Sequence, residues 1–198
     1  VKVEPNATVS ATPASQVICT GSSTSINLSS VTVGTSPITY QWTTSILTAP
    51  NGGTITGFSN NTTGNLSVIS QILQNTGTSI GVVRYTITPF NGLCAGNPIN
   101  VDVTVNPQGR ISAINNQTVC NGNQSTSIVF ATANTTGTTT YTWTNNNPAI
   151  GLAASSSGNA TGILNFAAQN TTNAPITGTI TVTPTFTNGG ISCVGAPI

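Results

Sequence analysis

Charged side chains are almost missing from this sequence. Lys and Arg together number three and Asp and Glu two, so 3% of its 198 residues are charged, and it contains no His and no Met. In ordinary globular proteins charged residues make up about 25% of the chain. The charged side chains are those of Lys2, Arg84, Arg110, Glu4 and Asp102.

This shortage excludes several classes of function. Nucleic-acid binding requires a basic surface to neutralise phosphates, and three cations do not provide one. General acid–base catalysis usually depends on His or on paired carboxylates, and a calcium site usually draws on several carboxylates. We therefore expect no enzyme activity, no cofactor, no metal site and no nucleic-acid partner.

Long hydrophobic runs are also absent. The apolar runs are only a handful of residues long, far short of the ~20 that a membrane-spanning helix needs. Regular alternation of Val, Ile and Thr argues against a disordered chain. We expect a folded protein that is not inserted in a membrane and whose surface is covered by Thr, Ser and Asn.

One short segment occurs twice and defines a repeat. Thr39-Tyr40-Gln41-Trp42-Thr43 returns as Thr140-Tyr141-Thr142-Trp143-Thr144, an offset of 101 residues (141 − 40). Downstream, Thr86-Ile87-Thr88-Pro89 returns as Thr181-Val182-Thr183-Pro184. Such self-similarity at a fixed period indicates a tandem array of one domain. We predict the end of a preceding repeat at 1–5, one repeat at 6–107 and a second at 108–198.

The pattern within each repeat predicts an all-β fold. Alternation of period two marks short strands, among them 82–90 in the first repeat and 177–186 in the second, with Gly-, Pro- and Asn-rich turns between them. The second repeat should also begin with a strand at 110–114. About seven short strands per repeat predict a tandem pair of Ig-like β-sandwiches.

The four cysteines predict one disulfide in each repeat. The expected pairs are Cys19–Cys94 and Cys120–Cys193, whose separations nearly match at 75 and 73 residues (94 − 19 and 193 − 120). A metal site is the alternative, but the cysteines lack CxxC spacing and the chain lacks His. Disulfides indicate an oxidising compartment, so we predict an extracellular or cell-surface location.

The paired aromatics have two possible roles. Tyr40 with Trp42, and Tyr141 with Trp143, lie two residues apart and so share one face of a strand. We predict that they anchor the two cores; the alternative is an exposed platform on which sugars stack. Thr-rich strands such as 177–187 could likewise form a hydroxyl array that binds ice or glycan, although Thr is common on the outer face of a strand.

The second repeat stops where its last strand should begin. Pro98-Ile99 leads into a strand through Val105, whereas Pro197-Ile198 is followed by nothing. The simpler interpretation is a segment cut from a longer array. The other is strand donation from a second subunit, which leaves open whether copies of the chain associate.

The second repeat resembles a known family of repeats. The residues that carry the resemblance are Asn116-Gln-Thr-Val-Cys120-Asn-Gly, Tyr141-Thr-Trp143-Thr-Asn-Asn-Asn-Pro148, Ile176-Thr-Gly-Thr-Ile-Thr-Val-Thr-Pro184 and Cys193-x-Gly-x-Pro. They are similar to the PKD-like, Ig-like repeats of large Bacteroidetes surface proteins such as the gliding-motility adhesins of the SprB type. The first repeat is similar more loosely. The Trp-Asp-Phe-Gly-Asp-Gly signature of PKD domains is absent, since Thr144 and three Asn follow Trp143.

The resemblance implies a β-sandwich repeat in a long cell-surface fibre, exported by the type IX route and attached to surfaces or polysaccharide. The predicted function is a non-catalytic spacer and adhesive module whose partners are neighbouring repeats and surface polysaccharide. Two alternatives remain open at this point. One is a dedicated carbohydrate-binding module, and the other is a self-assembling, pilus-like subunit completed by strand donation.

Overall fold

The computed structural model of the protein describes residues 1, 3–156 and 158–198. The chain divides into two compact units, Val1–Pro107 (unit 1) and Gln108–Ile198 (unit 2). All regular structure in the described residues is β-strand except for one 3₁₀ turn, Pro148–Ile150. The prediction of an all-β, Ig-like sandwich fold is confirmed.

Unit 1 contains two main sheets. The strands are β1 (Ser10–Thr12), β2 (Ser15–Cys19), β3 (Ile26–Ser29), β4 (Ile38–Thr48), β5 (Ile55–Thr56), β6 (Val68–Ile69), β7 (Gln74–Asn75), β8 (Gly81–Asn91), β9 (Cys94–Ala95) and β10 (Ile99–Asn106). One sheet has the order β2-β10-β8-β4, with β9 paired to β8, and the other has the order β1-β3-β6. β10 is parallel to β2 and antiparallel to β8, and β5 pairs with β7.

The core of unit 1 is formed by every second residue of the long strands. In β8, inward-facing Val83, Tyr85 and Ile87 are completely buried, while the residues between them are half-buried on the other face. This strict alternation is what a strand with one face on a core requires. The cluster also contains side chains of β3, β4, β6 and β10, namely Ile26, Leu28, Tyr40, Trp42, Ile69, Val101, Val103 and Val105.

Unit 2 repeats the central strands of unit 1. Its strands are β11 (Ile128–Val129), β12 (Thr138–Asn145), β13 (Gly162–Ile163), β14 (Ile180–Asn188) and β15 (Ile191–Val194). β12, β14 and β15 form one sheet, and β11 pairs with β13. The registers of the two units agree, since Trp42 lies opposite Ile87 and Trp143 lies opposite Val182.

The repeated Cys-x-Gly-x-Pro motif has a packing role. In both units the glycine, Gly96 or Gly195, donates its N–H at 2.8 Å to the carbonyl of the strand proline, Pro89 or Pro184. A Cβ on Gly96 would lie 1.8 Å from the carbonyl oxygen of Ala7, and a Cβ on Gly195 would lie 1.8 Å from that of Gly109. Glycine is required here because the first residues of each unit pass directly over this turn.

The strand predicted at 110–114 is not formed, because none of the described residues 107–127 belongs to a strand. The prediction at 177–186 places the start of the strand too early, since β14 begins at Ile180. In unit 1 the corresponding strand, β8, begins at Gly81, and β10 pairs with its first seven residues, 81–87. Unit 2 contains no counterpart of β10 among its described residues.

Candidate functional site

The aromatic residues that the sequence offered as core anchors or a sugar platform are buried. Tyr40, Trp42, Tyr141 and Trp143 are each at most 8% exposed. The indole N–H of Trp42 donates to the carbonyl oxygen of Ser59 at 3.1 Å, and burial raises the pKa of Tyr40 above its ordinary value. Stacking against a sugar requires an exposed ring face, so these four rings do not provide such a surface.

A double row of threonines lies on the outer face of β12 and β14 in unit 2. Four cross-strand pairs lie directly opposite one another and define what we call the threonine face: Thr138–Thr187, Thr140–Thr185, Thr142–Thr183 and Thr144–Thr181. Tyr141, Trp143, Val182 and Phe186, which alternate with these threonines along the two strands, are buried. The threonine face is therefore the solvent side of a sheet whose other side is fixed by packing.

The spacing of the threonine face follows from strand geometry. Residues two apart along a strand are separated by about 6.8 Å, and neighbouring strands are about 4.8 Å apart. Each hydroxyl can both donate and accept a hydrogen bond. The face is thus an uncharged, periodic array of donors and acceptors, and this chemistry suits an extended ligand that itself carries repeated hydroxyl groups.

The corresponding outer face of unit 1 is less uniform. Thr43 lies opposite Thr86 as in unit 2, but Arg84 lies opposite Asp102. The guanidinium makes two parallel bonds to the carboxylate, Nε to Oδ1 and Nη2 to Oδ2, both at 2.8 Å. Hydrogen bonding from Arg84 lowers the pKa of Asp102 below its ordinary value, so the carboxylate is held in its charged form.

Because of this ion pair, we expect unit 1 to lose stability in acid. The pKa of Asp102 is lower in the folded protein than in the unfolded chain. The stabilisation is therefore complete above the unfolded pKa, about 3.9, and is lost as pH falls through the folded value. Unfolding midpoints in urea should decline below about pH 4 in the parent chain, and Asp102→Asn should reduce that decline. A decline of the same size in both proteins would assign it to another group.

The cysteines differ from the sequence prediction. Cys19 and Cys193 are disulfide-bonded, whereas Cys94 and Cys120 are free thiols on exposed residues. The predicted pairs Cys19–Cys94 and Cys120–Cys193 are therefore wrong.

Strand register explains why Cys19 does not pair with Cys94. Cys19 lies beside Asn106 at the end of β10, and this end of the sheet is also the start of β8 at Gly81. Cys94, in β9, lies opposite Asn91, which is at the other end of β8. The length of β8 therefore separates the two cysteines by about 30 Å, whereas the Cα atoms of a disulfide lie about 4.4–6.8 Å apart.

The same arrangement separates the cysteines of unit 2. Cys193, in β15, lies opposite Phe186 of β14, and Phe186 in turn lies opposite Thr139 near the start of β12. Cys120 precedes a turn in which the N–H of Gly122 donates a hydrogen bond to the carbonyl of Ala168. The N–H of the next residue, Gln169, donates a hydrogen bond to the carbonyl of Ile150, in the 3₁₀ turn that follows the end of β12. Cys120 is therefore near the end of β12, whereas Cys193 is near its start. The sequence prediction rested on the similar separations of the two cysteine pairs, 75 and 73 residues. Such separations do not show at which end of the sheet each cysteine lies.

Counting thiols tests this assignment. The folded, unreduced chain should react with two equivalents of a thiol reagent, and the reduced and unfolded chain with four. The double variant Cys94→Ser/Cys120→Ser should give no reaction before reduction, because the two remaining cysteines are disulfide-bonded. A parent chain with no reactive thiols before reduction would contradict the assignment of Cys94 and Cys120 as free thiols.

Neither a metal site nor a membrane-spanning helix is found in the described residues. No group of three or more His, Cys, Asp or Glu side chains among them could hold a metal ion. Within the same residues, no helix is long and apolar enough to cross a membrane.

One comparison with known proteins gives a match. Residues 16–109 match the family model of the PKD-like domain. The match begins in β2 and extends just beyond β10, so it covers the large sheet of unit 1 and most of its core. The sequence resemblance was carried mainly by unit 2, whereas this match lies in unit 1. Curated proteins give no match to the chain.

Proposed function

We propose, from the similarity of unit 1 to the PKD-like domain, that this chain is a non-catalytic repeat segment of an extracellular, cell-surface protein. Each sandwich acts as a spacer, and the outer sheet faces act as adhesive surfaces. The resemblance to gliding-motility adhesins suggests export by the type IX route and attachment to surface polysaccharide during movement.

The threonine face is the observation that carries the adhesive part of the proposal. It consists of eight threonines in four registered pairs on a sheet whose inner side is packed. The hydroxyls of Thr140 and Thr187 also bond within the unit, to the carbonyl of Thr185 and the hydroxyl of Ser192. A polysaccharide chain also presents hydroxyls at regular intervals and carries little charge when it is neutral. Adhesion through such a surface should depend weakly on salt, because there are few charges to screen.

A bead-retention assay tests the adhesive function. Beads coated with the chain are washed over a surface of neutral polysaccharide at about 0.05 M and 1 M NaCl, a range in which charge-based adhesion would be strongly screened. We expect similar retention at both concentrations. Beads coated with the unfolded chain provide the background. Retention no greater than this background would leave the spacer function and eliminate the adhesive one.

A second arm places the contact on the threonine face. The exchange Thr142→Val/Thr183→Val removes one cross-strand pair of hydroxyls, keeps the shape of both side chains and suits a strand. It should lower retention several-fold and leave the unfolding midpoint close to that of the parent. The matched control, Thr62→Val/Thr171→Val, alters two exposed loop threonines and should not change retention. Equal retention in the two double variants would place the adhesive contact elsewhere.

A further inference from the structure

The dipeptide Asn-Gly occurs in the chain at 51–52, 91–92, 121–122 and 188–189. Asparagine in this dipeptide can react with its own main chain, because glycine has no side chain to hinder the approach. The glycine nitrogen loses its proton to hydroxide and attacks the side-chain carbon Cγ. A C–N bond forms, the side-chain nitrogen leaves as ammonia, and a cyclic imide results. Water then opens the ring at either carbonyl, giving aspartate or isoaspartate.

The fold decides which of these dipeptides can react. The reaction requires an accessible asparagine side chain, a glycine N–H that is not engaged by an acceptor, and a main chain that can rotate. A dipeptide that lacks one of these conditions reacts only when that part of the structure opens. Its rate then falls with the fraction of time that it spends open.

Two of the asparagines are the last residues of long strands. Asn91 ends β8 and Asn188 ends β14, and the backbone of each is held in the ladder of its hairpin. Asn91 is also only 2% exposed, and its amide donates to Oε2 of Glu4 and to the carbonyl of Pro5, both at 3.2 Å. Asn188 is half-buried. Strand pairing therefore restrains the main chain at both sites.

The third asparagine lies in a turn whose reacting groups are already bonded. The N–H of Gly122 donates to the carbonyl of Ala168 at 2.8 Å. Oδ1 of Asn121 accepts the N–H of Asn170, also at 2.8 Å. Attack by the nitrogen of Gly122 would require both hydrogen bonds to break, so this turn is protected as well.

The fourth asparagine lies in a turn that is open to solvent. Asn51 and Gly52 are both exposed, and a Cβ on Gly52 would meet no atom within 4 Å. No acceptor for the N–H of Gly52 is found among the described residues. Neither residue lies in a strand. This dipeptide therefore meets the conditions that the other three do not.

We propose that Asn51 is a site of spontaneous deamidation in the folded protein, while the fold protects the other three Asn-Gly dipeptides. The reaction adds a third carboxylate to a chain that has two, and so changes the formal net charge from +1 to zero. The inference is independent of the adhesive function, because Asn51 lies in unit 1 and the threonine face in unit 2.

Isoaspartate at position 51 would lengthen the main chain of a tightly packed turn. The N–H of Asn51 donates to Oγ of Ser79 at 2.8 Å, and its carbonyl accepts the N–H of Thr78 at 2.9 Å. A Cβ on Gly53 would lie 2.4 Å from the nitrogen of Gly77, so the two segments leave no room for an extra methylene. The modified turn should therefore separate from Thr78.

Peptide mapping of aged protein tests the proposal. The folded parent chain is kept in mildly alkaline buffer, and conversion of amide to acid at each of the four asparagines is followed by mass spectrometry. Asn51 should convert at least about tenfold faster than any other, because the others must first open locally. In the chain unfolded in urea at the same pH, the four rates should be similar. A rate at Asn51 in the folded chain no higher than that at another of the four would overturn the proposal.

The variant Asn51→Gln provides a matched control and a second readout. Glutamine keeps the amide but would have to form a larger, less favoured ring. The ageing parent should develop a more acidic band in isoelectric focusing, and Asn51→Gln should not. An acidic band of equal intensity in the variant would overturn the assignment to Asn51.

Hydrogen exchange tests the consequence for the turn. The isoaspartate form is separated from the fresh parent by ion-exchange chromatography. Exchange of the Thr78 amide should be several-fold faster in that form, because the N–H loses the acceptor on residue 51. Equal exchange at Thr78 in the two forms would contradict the predicted opening of the turn.

Discussion

Replacing Tyr85 with alanine should reduce the free energy of unfolding of unit 1 by about 3–5 kcal/mol, the range for removing a buried aromatic side chain. Tyr85 is completely buried at the centre of β8, with Val101 of β10 on one side and Thr44 of β4 on the other. The loss is measured by urea unfolding in a Trp143→Phe background, in which the fluorescence of Trp42 reports on unit 1.

The control variant Tyr85→Phe separates the ring from its hydroxyl. The hydroxyl donates to Oε1 of Gln71 at 2.9 Å, and the same oxygen also accepts the N–H of Ser59 at 3.0 Å. In Tyr85→Phe, Oε1 of Gln71 still accepts the N–H of Ser59. The free energy of unfolding should therefore fall by only about 1 kcal/mol. Burial raises the pKa of Tyr85 well above its ordinary value, so the hydroxyl stays neutral under the conditions of the experiment. Similar losses for the two variants would show that the ring contributes little to the core.

The parts of the fold that the sequence predicted well are those with a strong local pattern. The strand predicted at 82–90 is β8, Gly81–Asn91, because one buried face imposes a strict period of two. The duplicated Tyr-x-Trp segment marks two strands in the same register, β4 and β12. In these strands the information lies within a few neighbouring residues.

The parts that were missed depend on contacts between distant segments. β2, Ser15–Cys19, was not predicted, since it is short and pairs in parallel with β10, and parallel strands lack a clean alternation. The cysteine pairs were wrong because sequence separation does not specify the end of the sheet at which each residue lies. The threonine face was considered only as one Thr-rich strand; its pairing with β12 appears once the register is known.

Buried polar side chains are another feature without a sequence signal, and Asn75 is the clearest example. It is 5% exposed, and its amide donates to the carbonyl oxygens of Ser79 at 2.9 Å and Val105 at 2.8 Å. Its side-chain oxygen accepts the N–H of Gly77 at 2.9 Å. Asn75 therefore holds the turn after β7 closed and ties it to the last strand of the unit, but in the sequence it is one of many asparagines.

Asn75→Ala should lower the free energy of unfolding of unit 1 by about 2–4 kcal/mol, because it deprives two carbonyls and one N–H in a buried site of a partner. The matched control is Asn100→Ala, since Asn100 is exposed and its side-chain oxygen accepts the hydroxyl of Thr86; its cost should be within about 0.5 kcal/mol. Both are measured by urea unfolding with Trp42 as the reporter. A loss in Asn75→Ala no larger than that of Asn100→Ala would contradict the assigned role.

A third variant distinguishes lost hydrogen bonds from lost packing. Asn75→Asp is nearly the same size and keeps the acceptor for Gly77, but it places a carboxylate oxygen against the carbonyls of Ser79 and Val105. Burial and these two acceptors disfavour the charged form, so the pKa of the introduced carboxyl should be higher in the folded protein than in the unfolded chain. The folded state then binds the proton more tightly, and the destabilisation should be largest at neutral pH and shrink in acid. A loss that does not vary with pH would mean that shape, rather than donation to the two carbonyls, fixes asparagine at this position.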